Sequence, residues 1–560
     1  MRAGAVPWPA EFVAHYRASG YWRDRALGRL PQDWAARFGD RVALVDGDVR
    51  LSYRELAERV EAAAGRLHRA GLREGDNMLI QLPNSHQFVV LVLACARIGT
   101  APVLMLPAHR ERELLGAGRL VGAVALASAA AAKGFDLAAQ ARQVAAQLPH
   151  CGLLLIGDGA AQGTEFDLDD VVGPAEGPDG PRPGAVPDPD PTDVALFLLS
   201  GGTTGMPKLI ARTHNDYEYN LRRSAQVCEF DESTVYLAAL PAAHNFVLGS
   251  PGILGTLHSG GRAVLVRSPA PAGVFAAIAR HGVTHTAAVP TVLRRWLAHC
   301  RDSGAAPRGS GPLRVIQVGG ERLEPEYAAH AAELLGARIQ QVFGMAEGLL
   351  NFTRPRDPAP VLLGTQGRPM SPGDEVEIVD EDGKPVPPGV PGELLTRGPY
   401  TPRGYFAAPE HNREAFTEDG WLRTGDLVCQ HPDGNLSVVG RIKDVVNRGG
   451  EKISADEIEG VIDELPEVAA VAVVPAPDPA FGECVAAFVV PRAGARLDLA
   501  GLSTALRALG LAEFKLPEHL YLVDSLPRTA VGKIDKQALR IRLVEQAAHP
   551  ECAAAGAADS

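Results

Sequence analysis

Short apolar runs alternate with amphipathic stretches along the first quarter of the chain. Runs at 77–82, 101–106 and 121–127 have the length and composition of buried strands, and the stretches between them have helical periodicity. Strands that alternate with helices in this way are typical of parallel βαβ units. The pattern therefore predicts an α/β fold.

Local signals add detail at both ends of this region. Val42–Asp46 and the run 48–52 predict two strands joined by a tight Asp-Gly turn. Ser52-Tyr53-Arg54-Glu55 has the form of a capping box and predicts a helix that runs to about Ala70. The glycines at 116, 118 and 122 superficially resemble a dinucleotide fingerprint, but the third comes one residue late. We therefore interpret 116–122 as a turn.

Composition narrows the class of protein. The chain has 560 residues, of which 46% are hydrophobic and 22% charged, which is typical of a globular protein too long for one core, so we expect two or more domains. A net charge of −12 without a long basic run argues against nucleic acid as a partner. The apolar run 88–96 is too short to span a membrane and predicts a buried helix, and the N-terminus lacks a signal-peptide pattern.

Cysteine usage points to a reducing compartment. Seven cysteines are scattered along the chain and none forms Cys-x-x-Cys, which indicates reduced thiols and a cytoplasmic location. The sequence contains no His and Cys cluster typical of a metal centre.

The most informative segment, 199–208, reads Leu-Ser-Gly-Gly-Thr-Thr-Gly-Met-Pro-Lys. Glycine permits the close backbone approach that lets N–H groups and hydroxyls face a polyphosphate, and Lys208 adds positive charge. The apolar run 194–199 predicts the buried strand that leads into it. The segment lacks the Gly-Lys-Ser/Thr ending of a Walker A loop, and a glycine-rich surface turn remains an alternative.

Two acidic residues follow apolar or glycine-rich segments. The run 340–347 predicts a strand that ends in a glycine turn and presents Glu347, whose carboxylate can hold Mg²⁺. The alternative is a solvated helix start. In 420–427 we expect Asp426 to lie in a turn and to accept hydrogen bonds from a ribose diol. Here the alternative is an Asx-turn.

Three features of the last quarter concern movement and catalysis. The polar segment 440–453 separates two apolar strands, as a hinge linker does, although a charged hairpin is the alternative. Lys533 follows Val-Gly at the tip of a predicted exposed loop, where a plain surface lysine is the alternative. From Gln546 onward small residues dominate and predict a disordered tail.

Five features have now been named: the segments 199–208, 340–347, 420–427 and 440–453, and the loop around Lys533. In this order and spacing these five segments resemble the adenylate-forming superfamily of acyl-CoA synthetases, luciferases and adenylation domains of nonribosomal peptide synthetases. The resemblance covers about 16–542. It implies a large N-terminal domain, 1–441, of stacked α/β subdomains with a β-barrel-like subdomain. It also implies a small mobile α+β C-terminal domain, 442–545, that carries a catalytic lysine and precedes the tail, 546–560.

Within the superfamily the chain is similar to stand-alone aryl-acid ligases of siderophore and antibiotic pathways, which activate salicylate or 2,3-dihydroxybenzoate. The matching stretches are 244–246, 250–252, 317–320, 340–351 and 447–453. Amino-acid-activating domains usually carry an Asp where Asn245 falls. A neutral amide leaves a cationic amine without a counter-ion, but it can hydrogen-bond a phenolic hydroxyl ortho to a carboxylate.

The resemblance implies a reaction in two steps. The acid attacks the α-phosphorus of ATP to give an acyl-adenylate and pyrophosphate, and a phosphopantetheine thiol then displaces AMP. Positioning and cation clamping are expected to carry the catalysis. Lys533 is implied to bridge the acid and the α-phosphate, Glu347 to bind Mg²⁺ and His244 to gate the thiol. Gly449 and Gly450 are implied to line the thiol tunnel, and Lys443 to lie at the hinge.

The implied nucleotide-binding residues are Ser200, Gly201, Thr203, Thr204, Gly205, Lys208, Gly319, Gly320, Gln341, Val342, Phe343, Gly344, Met345, Ala346, Asp426, Val438, Arg441 and Lys533. Among them, Asp426 and Arg441 are implied to hold the ribose. The implied aryl pocket comprises Asn245, Phe246, Gly249, Ser250, Ala288, Gln317, Gly319, Val342, Gly344, Leu350 and Asn351.

The pocket residues leave the acid open. The bulk of Leu350 favours salicylate, whereas Ser250 favours the dihydroxy acid. Gly249 removes volume, so hydroxypicolinate, hydroxyquinaldate or a naphthoate is an alternative. A methylene of pocket volume changes selectivity by only about 1–3 kcal/mol.

The expected acceptor is a separate aryl carrier protein, with CoA as the alternative. Lys515, Lys536, Arg540 and Arg542 can form a basic patch for an acidic carrier, or they are simply solvated helix charges. A regulatory protein with an inactive nucleotide site is disfavoured, since Lys208, Glu347, Asp426, Arg441 and Lys533 are all present.

Overall fold

The computed structural model describes residues 1–174, 187–200, 208–303, 311–320, 322–448, 451–478, 482–509, 511, 515–529 and 532–548. These residues fall into two compact units. The first takes in the described residues up to 376 together with 396–422, and the second takes in 377–395 and the chain from 423 onward. The domain division at residue 441 stays a prediction.

The first unit is built from two large sheets and the helices that cover them. Its strands are β1 (Val42–Asp46), β2 (Val49–Ser52), β3 (Asn77–Gln81), β4 (Ala101–Met105), β5 (Ala125–Ser128), β6 (Ala131–Ala132), β7 (Phe135–Asp136), β8 (Leu153–Ile156), β9 (Phe166–Asp167), β10 (Val194–Leu199), β11 (Leu209–Thr213), β12 (Val235–Ala238), β13 (Arg262–Leu265), β14 (His285–Ala288), β15 (Val315–Gly319), β16 (Arg338–Met345), β17 (Gly348–Phe352) and β18 (Arg368–Pro369). Its helices are α1 (Ala10–Ala18), α2 (Leu30–Phe38), α3 (Tyr53–Arg69), α4 (His86–Ile98), α5 (Glu111–Val121), α6 (Leu137–Gln147), α7 (Leu168–Val172), α8 (His214–Val227), α9 (Asn245–Leu248), α10 (Gly252–His258), α11 (Pro271–His281), α12 (Pro290–Ser303), α13 (Pro325–Leu335), α14 (Ala359–Gly364) and α15 (Pro409–Ala415), with a 3₁₀ turn at Leu27–Arg29.

A seven-stranded sheet has the order β11-β10-β4-β3-β5-β8-β9. Its strands run parallel except at the edge, where β11 pairs antiparallel with β10. Every residue of β3 and β4 is buried, which explains why these strands are continuous apolar runs rather than alternating ones. The predicted parallel βαβ arrangement is confirmed, and the run 88–96 forms the buried centre of α4.

Two local predictions near the N-terminus are confirmed. β1 and β2 pair antiparallel, with Gly47 in the left-handed conformation that the turn requires. The Ser52 side chain accepts from the Glu55 amide, and the Glu55 carboxylate accepts in return from the Ser52 amide at 2.7 Å. This capping box begins α3, which ends at Arg69.

The interpretation of 116–122 as a turn is wrong. Gly116 and Gly118 lie inside α5, which continues through Val121, and Gly122 ends the helix in the left-handed conformation. A Cβ on Gly118 would lie 2.7 Å from Leu148 Cδ1, so this glycine serves close packing. Because α5 runs to Val121, β5 begins only at Ala125, later than the predicted run 121–127.

The second large sheet has nine strands in the order β18-β17-β16-β15-β14-β12-β13-β1-β2. Its centre, from β1 to β16 along this order, is parallel. Register pairs Ala288 with Val318 and Gly319 with Val342, so β14, β15 and β16 end side by side. Ligands of open α/β sheets bind beyond such carboxyl ends.

The remaining elements form most of the second unit. Its strands are β19 (Glu375–Val379), β20 (Pro391–Arg397), β21 (Leu422–Gln430), β22 (Leu436–Arg441), β23 (Val445–Arg448), β24 (Glu451–Ser454), β25 (Val468–Asp478), β26 (Gly482–Pro491) and β27 (His519–Leu522), and its helices are α16 (Ala455–Asp463), α17 (Leu499–Ala508) and α18 (Lys536–Ala548). A 3₁₀ turn at Ile442–Asp444 separates β22 from β23.

The C-terminal sheet has the order β24-β23-β26-β25, with β27 added in parallel to β26. Side chains alternate along β25, so Val471 and Val473 enter one apolar cluster while Ala472 and Val474 enter another. α16 and α17 cover the first cluster, and α18 covers the second. α18 continues to Ala548, three residues into the predicted tail, and 549–560 lie outside the described residues.

Two further findings concern membrane spans and cysteines in the described part of the chain. None of its helices is long and apolar enough to cross a lipid bilayer. Its six cysteines are all free thiols, whereas Cys552 lies outside it.

Candidate active site

The described ends of the predicted phosphate loop are held together at the sheet edge. The Ser200 amide donates to the Lys208 carbonyl at 2.9 Å, and the Lys208 amide donates to Ser200 Oγ at 3.0 Å. β10 is the predicted strand before the loop, and β11 follows it. Gly201, Thr203, Thr204 and Gly205 lie outside the described residues.

Tyr405 connects the loop to the predicted metal ligand. Glu347 lies in the turn between β16 and β17, as predicted. The Tyr405 hydroxyl donates to Glu347 Oε1 at 2.9 Å, and Lys208 Nζ lies 5.4 Å from the centre of the Tyr405 ring. Burial, together with the neighbouring carboxylate, raises the pKa of Tyr405, so the hydroxyl stays protonated. Sequence reasoning missed Tyr405, which belongs to none of the five segments.

The turn that contains Glu347 is also held by Arg212 of β11, which pairs with Asp216 in the first turn of α8. Arg212 and Asp216 form an ion pair of 2.7 Å with both side chains fully buried. Arg212 Nη1 also donates to the Ala346 carbonyl at 3.0 Å. The residue before Glu347 is thereby fixed to the beginning of α8.

The residues around Glu347 fit Mg²⁺ rather than a transition metal. Among the described residues no group of three His, Cys, Asp or Glu side chains could hold a metal ion. Mg²⁺ needs only one or two carboxylates when phosphate oxygens and waters supply its other ligands. A carboxylate that already accepts from Tyr405 is oriented for that role.

Several residues predicted to line the aryl pocket lie close together at the ends of β15 and β16. A Cβ on Gly319 would lie 2.8 Å from the Val342 carbonyl and 3.4 Å from Phe246 Cζ, so these three residues meet. A Cβ on Gly344 would lie 2.4 Å from Leu350 Cδ2, so Leu350 covers that glycine. Ala288 and Gln317, on the neighbouring strands, are fully buried, and Gly320 follows β15 with a positive φ.

Three residues of the predicted aryl pocket each have a buried polar side-chain atom without a partner in the described part of the chain. Gln317 Nε2 donates to Gln340 Oε1 at 3.0 Å, and Asn351 Nδ2 donates to the Phe343 carbonyl at 3.0 Å. Gln317 Oε1, Asn351 Oδ1 and Ser250 Oγ have no hydrogen-bond partner among the described residues. Such atoms cost free energy unless a ligand or water satisfies them.

The side chain of Gln341 is occupied by protein partners. It is buried, donates to the Leu363 carbonyl and accepts from Gln366 at 2.9 Å. The Gln341 carbonyl accepts from the Thr353 amide at 3.2 Å, and the role of Gln341 in nucleotide binding stays a prediction. Met345 ends β16 beside it in the same hairpin.

Asn245 begins α9 and is buried at 4% exposure. His244 precedes it, exposed, with its Nδ1 accepting from the Phe246 amide at 3.3 Å. The Tyr217 hydroxyl donates to Asn245 Oδ1 at 2.9 Å. A Cβ on Gly249 would lie 2.7 Å from that hydroxyl, so Tyr217 fills the space beside Gly249. The interpretation of Gly249 as room for a larger acid stays a prediction.

In the second unit, Asp426 lies within β21 and not in the predicted turn. It pairs in register with Arg441 of β22, whose Nε lies 2.8 Å from Asp426 Oδ1. Burial raises the pKa of the Asp426 carboxyl, and the charges of Arg441 and Lys533 oppose that shift. Val438 pairs with Val428 in the same ladder.

Lys533 lies in a tight loop that a bridge between Arg528 and Ile534 closes. The Thr529 amide donates to the Lys533 carbonyl at 2.8 Å, and Gly532 has a φ of +90°. The residue is half-buried rather than fully exposed.

In the predicted hinge segment the structure shows the hairpin alternative, and the hinge stays a prediction. The 3₁₀ turn that includes Lys443 is followed by a β23–β24 hairpin in which Val446 pairs with Ile453. Gly449 and Gly450 lie outside the described residues.

The predicted basic patch is largely neutralised. Lys515 contacts Glu457, Lys536 contacts both Asp456 and Glu459 at about 3 Å, and Arg540 contacts Asp444. These three cations serve ion pairs inside the second unit, whereas Arg542, the fourth of the predicted patch, is exposed.

An α/β fold of this kind, with Lys208 and Glu347 both against Tyr405, agrees with what the resemblance to the adenylate-forming class of enzymes implies. The family model described as AMP-binding enzyme matches residues 31–406, and the model of the AMP-binding enzyme C-terminal domain matches residues 457–533. The chain belongs to the AMP-binding enzyme family, as the sequence motifs predicted.

Close relatives cover almost the whole chain. A salicylyl-CoA synthase / salicylate adenylyltransferase from a Streptomyces species is 54% identical over 96% of this chain and 97% of its own length. A 2-hydroxy-7-methoxy-5-methyl-1-naphthoate–CoA ligase from Streptomyces carzinostaticus is 48% identical over 96% of this chain and 97% of its own length.

Among solved structures, the apo structure of MbtA from Mycobacterium smegmatis matches 96% of this chain and 99% of its own with 44% identity and a TM-score of 0.73. The predicted fold class, mixed α/β with a large N-terminal and a small C-terminal domain, is confirmed.

Proposed function

We propose that this chain converts a 2-hydroxy aryl acid, ATP and a thiol into an aryl thioester, AMP and pyrophosphate, through an aryl-adenylate. The observation that carries the proposal is the meeting of Lys208 and Glu347 at Tyr405 in the same unit as a pocket with a neutral amide, Asn245. The cluster offers charges for phosphates and a metal ion, and the pocket offers no counter-ion for an amine.

In the first step a carboxylate oxygen of the acid bonds to the α-phosphorus, and the bond from that phosphorus to the bridging oxygen of pyrophosphate breaks. Lys208, with Thr203 and Thr204, is proposed to hold the β- and γ-phosphates, and Lys533 to neutralise charge between the acid and the α-phosphate. Mg²⁺, held by Glu347, would neutralise part of the phosphate charge. Preorganised cations lower the barrier because charge is spread over phosphate oxygens in the transition state.

Asp426 and Arg441 are proposed to recognise the ribose. A carboxylate with two oxygens can accept from both hydroxyls of a diol. The ion pair of 2.8 Å holds the Asp426 carboxylate in one orientation.

In the second step a thiol sulfur attacks the acyl carbon and releases its proton to solvent, and AMP leaves with the electron pair of the acyl–oxygen bond. No covalent enzyme intermediate is needed. His244, Gly449 and Gly450 are proposed to line the path of the thiol, and Lys443 to lie at the hinge. CoA and a carrier protein present the same phosphopantetheine thiol. The names of the two Streptomyces relatives favour CoA, and the neutralised patch around Lys536 gives no separate support for a carrier.

We propose salicylate as the acid. Leu350 covers Gly344 and leaves less space for a 3-hydroxyl, and a relative at 54% identity is named for salicylate. A naphthoate is the second candidate, since a relative at 48% identity is named for one, although Tyr217 fills the space beside Gly249. Six free thiols support a reducing, cytoplasmic location.

Acid-dependent pyrophosphate exchange tests the first step. The wild-type chain is expected to exchange pyrophosphate with salicylate and Mg²⁺, and Lys533→Ala to lower the rate by about 10² or more, the scale of a lost charge-stabilising group. Lys384→Ala, which removes an exposed lysine paired at 3.5 Å with Asp382, is the matched control and should keep the wild-type rate. Equal rates in Lys533→Ala and the control would contradict the role of Lys533.

Product analysis tests the second step. With purified salicyl-adenylate, mass spectrometry should detect salicyl-CoA when CoA is added, or a mass increase on a phosphopantetheinylated carrier when that is added. Faster thioester formation with the carrier than with CoA would reverse the order of the two acceptors.

A further inference from the structure

Helix α8 makes hydrogen bonds to both ends of the short segment 245–249, at Asn245 and at Gly249. Tyr217, Asn220 and Ser224 recur on one face of the helix. Asn220 Nδ2 donates to the Gly249 carbonyl at 2.5 Å, and Ser224 Oγ donates to the same carbonyl at 3.4 Å. The Tyr217 hydroxyl reaches Asn245 Oδ1 at 2.9 Å. The helix therefore fixes the end of α9 and the amide at its start.

The direction of the hydrogen bond from Tyr217 follows from burial. Tyr217 is fully buried, and burial raises the pKa of its phenol, so the hydroxyl keeps its proton. The Arg212 guanidinium lies over the Tyr217 ring, 5.0 Å from its centre. A protonated phenol that meets an amide oxygen is a donor.

This bond leaves one group of the amide available. Asn245 Oδ1 accepts from Tyr217, whereas Asn245 Nδ2 donates to no group among the described residues. An amide whose oxygen is engaged presents two N–H donors and no acceptor to whatever lies in front of it. The polarity of the site at this point is then fixed by a residue that does not touch the acid.

We propose that Tyr217 is a positioning residue that locks the Asn245 amide with its NH₂ group toward the acid, so that the enzyme selects an ortho substituent that accepts a hydrogen bond. The inference rests on the proposed function. The phenolic oxygen of salicylate accepts from the amide while its own proton bonds to the adjacent carboxylate oxygen. The amine of 2-aminobenzoate, almost equal in size, is a poor acceptor because its lone pair is delocalised into the ring.

Gly249 is part of this arrangement. A Cβ at this position would lie 2.7 Å from the Tyr217 hydroxyl and 2.9 Å from Cζ, closer than such atoms approach. Any side chain there would displace the hydroxyl from Asn245. Glycine at 249 thus preserves the donor polarity of the site.

Exchange kinetics with the two acids test the proposal. In the wild type, kcat/KM for salicylate is expected to exceed that for 2-aminobenzoate by about tenfold or more, as for sites whose buried polar groups lose a partner. In Tyr217→Phe the amide can rotate and present its oxygen. The ratio should then fall to about threefold or less, with a raised KM and little change in kcat for salicylate.

Tyr219→Phe is the matched control. Tyr219 lies on the same helix and its hydroxyl bonds to Ser371 Oγ at 2.6 Å, outside the pocket. This variant loses a buried hydroxyl and one hydrogen bond, as Tyr217→Phe does, and should keep the wild-type ratio. A wild-type ratio in Tyr217→Phe, or equal use of both acids by the wild type, would overturn the proposal.

Asn245→Asp provides a test that does not depend on folding of Tyr217→Phe. A carboxylate has no donor, so salicylate should lose most of its kcat/KM while 2-aminobenzoate loses less. An unchanged preference for salicylate would overturn the proposal. Absence of exchange with every benzoate in the wild type is a different result, because it would refute the proposed function itself.

Discussion

Tyr405 is the residue at which two distant polar segments of the first unit meet. Its ring lies 5.4 Å from the Lys208 ammonium, and its hydroxyl donates to Glu347 at 2.9 Å. At 9% exposure its side chain is buried between the two segments, so it holds Lys208 and Glu347 near one point of the first unit.

Glu347→Gln tests the metal role at the residue scale. Glutamine can still accept from Tyr405 but lacks the charge that Mg²⁺ requires, so the Mg²⁺ concentration for half-maximal exchange should rise about tenfold or more. Titration of exchange activity with Mg²⁺ measures it. Glu418→Gln, an exposed position, is the control and should keep the wild-type midpoint. A Glu347→Gln midpoint equal to the control would remove Glu347 from the metal site.

Among the elements, α8 is linked to two parts of the candidate site. Its Thr213 cap and Asp216 form a fully buried capping box, and Asp216 also pairs with Arg212. Through Arg212 the helix start holds the Ala346 carbonyl, and through Tyr217 the next turn holds Asn245. One helix is thus linked both to the turn that contains Glu347 and to the Asn245 amide.

Asp216→Asn should destabilise the first unit by about 3–5 kcal/mol, because it leaves the Arg212 charge buried without its partner. All five tryptophans (8, 22, 34, 296 and 421) belong to this unit, so tryptophan fluorescence during urea denaturation reports its unfolding. Asp382→Asn breaks an exposed pair with Lys384 and should change stability by less than about 0.5 kcal/mol. A similarly small loss in Asp216→Asn would show that the ion pair is dispensable.

At the scale of the whole molecule, the predicted site residues are divided between two units with separate cores. Lys208, Asn245 and Glu347 belong to the first unit, and Asp426 and Lys533 to the second.

The first unit buries several ionisable groups. Burial lowers the pKa of His214, His258 and His285 to about 4 each, and raises the pKa of Asp374 to about 7.

These shifts predict how stability depends on pH. The histidines are neutral in the native state, so between their ordinary value near 6.5 and about 4 the unfolded chain binds protons that the native chain does not. Stability therefore falls as the pH is lowered through this window. Asp374 acts in the opposite sense between its ordinary value near 4 and about 7, since its native form holds a proton that the unfolded form has lost.

His214→Gln checks the sign for one group. Its Nδ1 accepts from the Leu27 amide at 3.1 Å, a bond that glutamine oxygen can replace. The free energy of unfolding, measured by urea denaturation between pH 4 and 6.5, should depend less on pH than in the wild type. The difference should reach up to about 3 kcal/mol across the window. His150→Gln, at an exposed site, should follow the wild type. A His214→Gln profile parallel to the wild type would contradict the assignment.

Much of the architecture could be predicted because its signals are local. The capping box at Ser52, the hairpin through Gly47 and the buried helix α4 each depend on a few consecutive side chains. The errors arose where local signals conflict. Gly116 and Gly118 weaken a helix in isolation, yet α5 forms because one face packs on the sheet and Leu148 fills the space above Gly118. Asp426 follows a glycine with positive φ but continues a strand, since β22 pairs with it.

By itself, the sequence determined the family, the order of its motifs and the residue types of the site, because each motif is a short run whose chemistry is local. Only the tertiary structure decided that Tyr405 joins Lys208 to Glu347, that Arg212 holds Ala346 and that Tyr217 orients Asn245. These contacts join residues from 28 to 134 positions apart, or about 200 between Lys208 and Tyr405. Their geometry depends on how sheets and helices pack, and no short stretch of sequence encodes it.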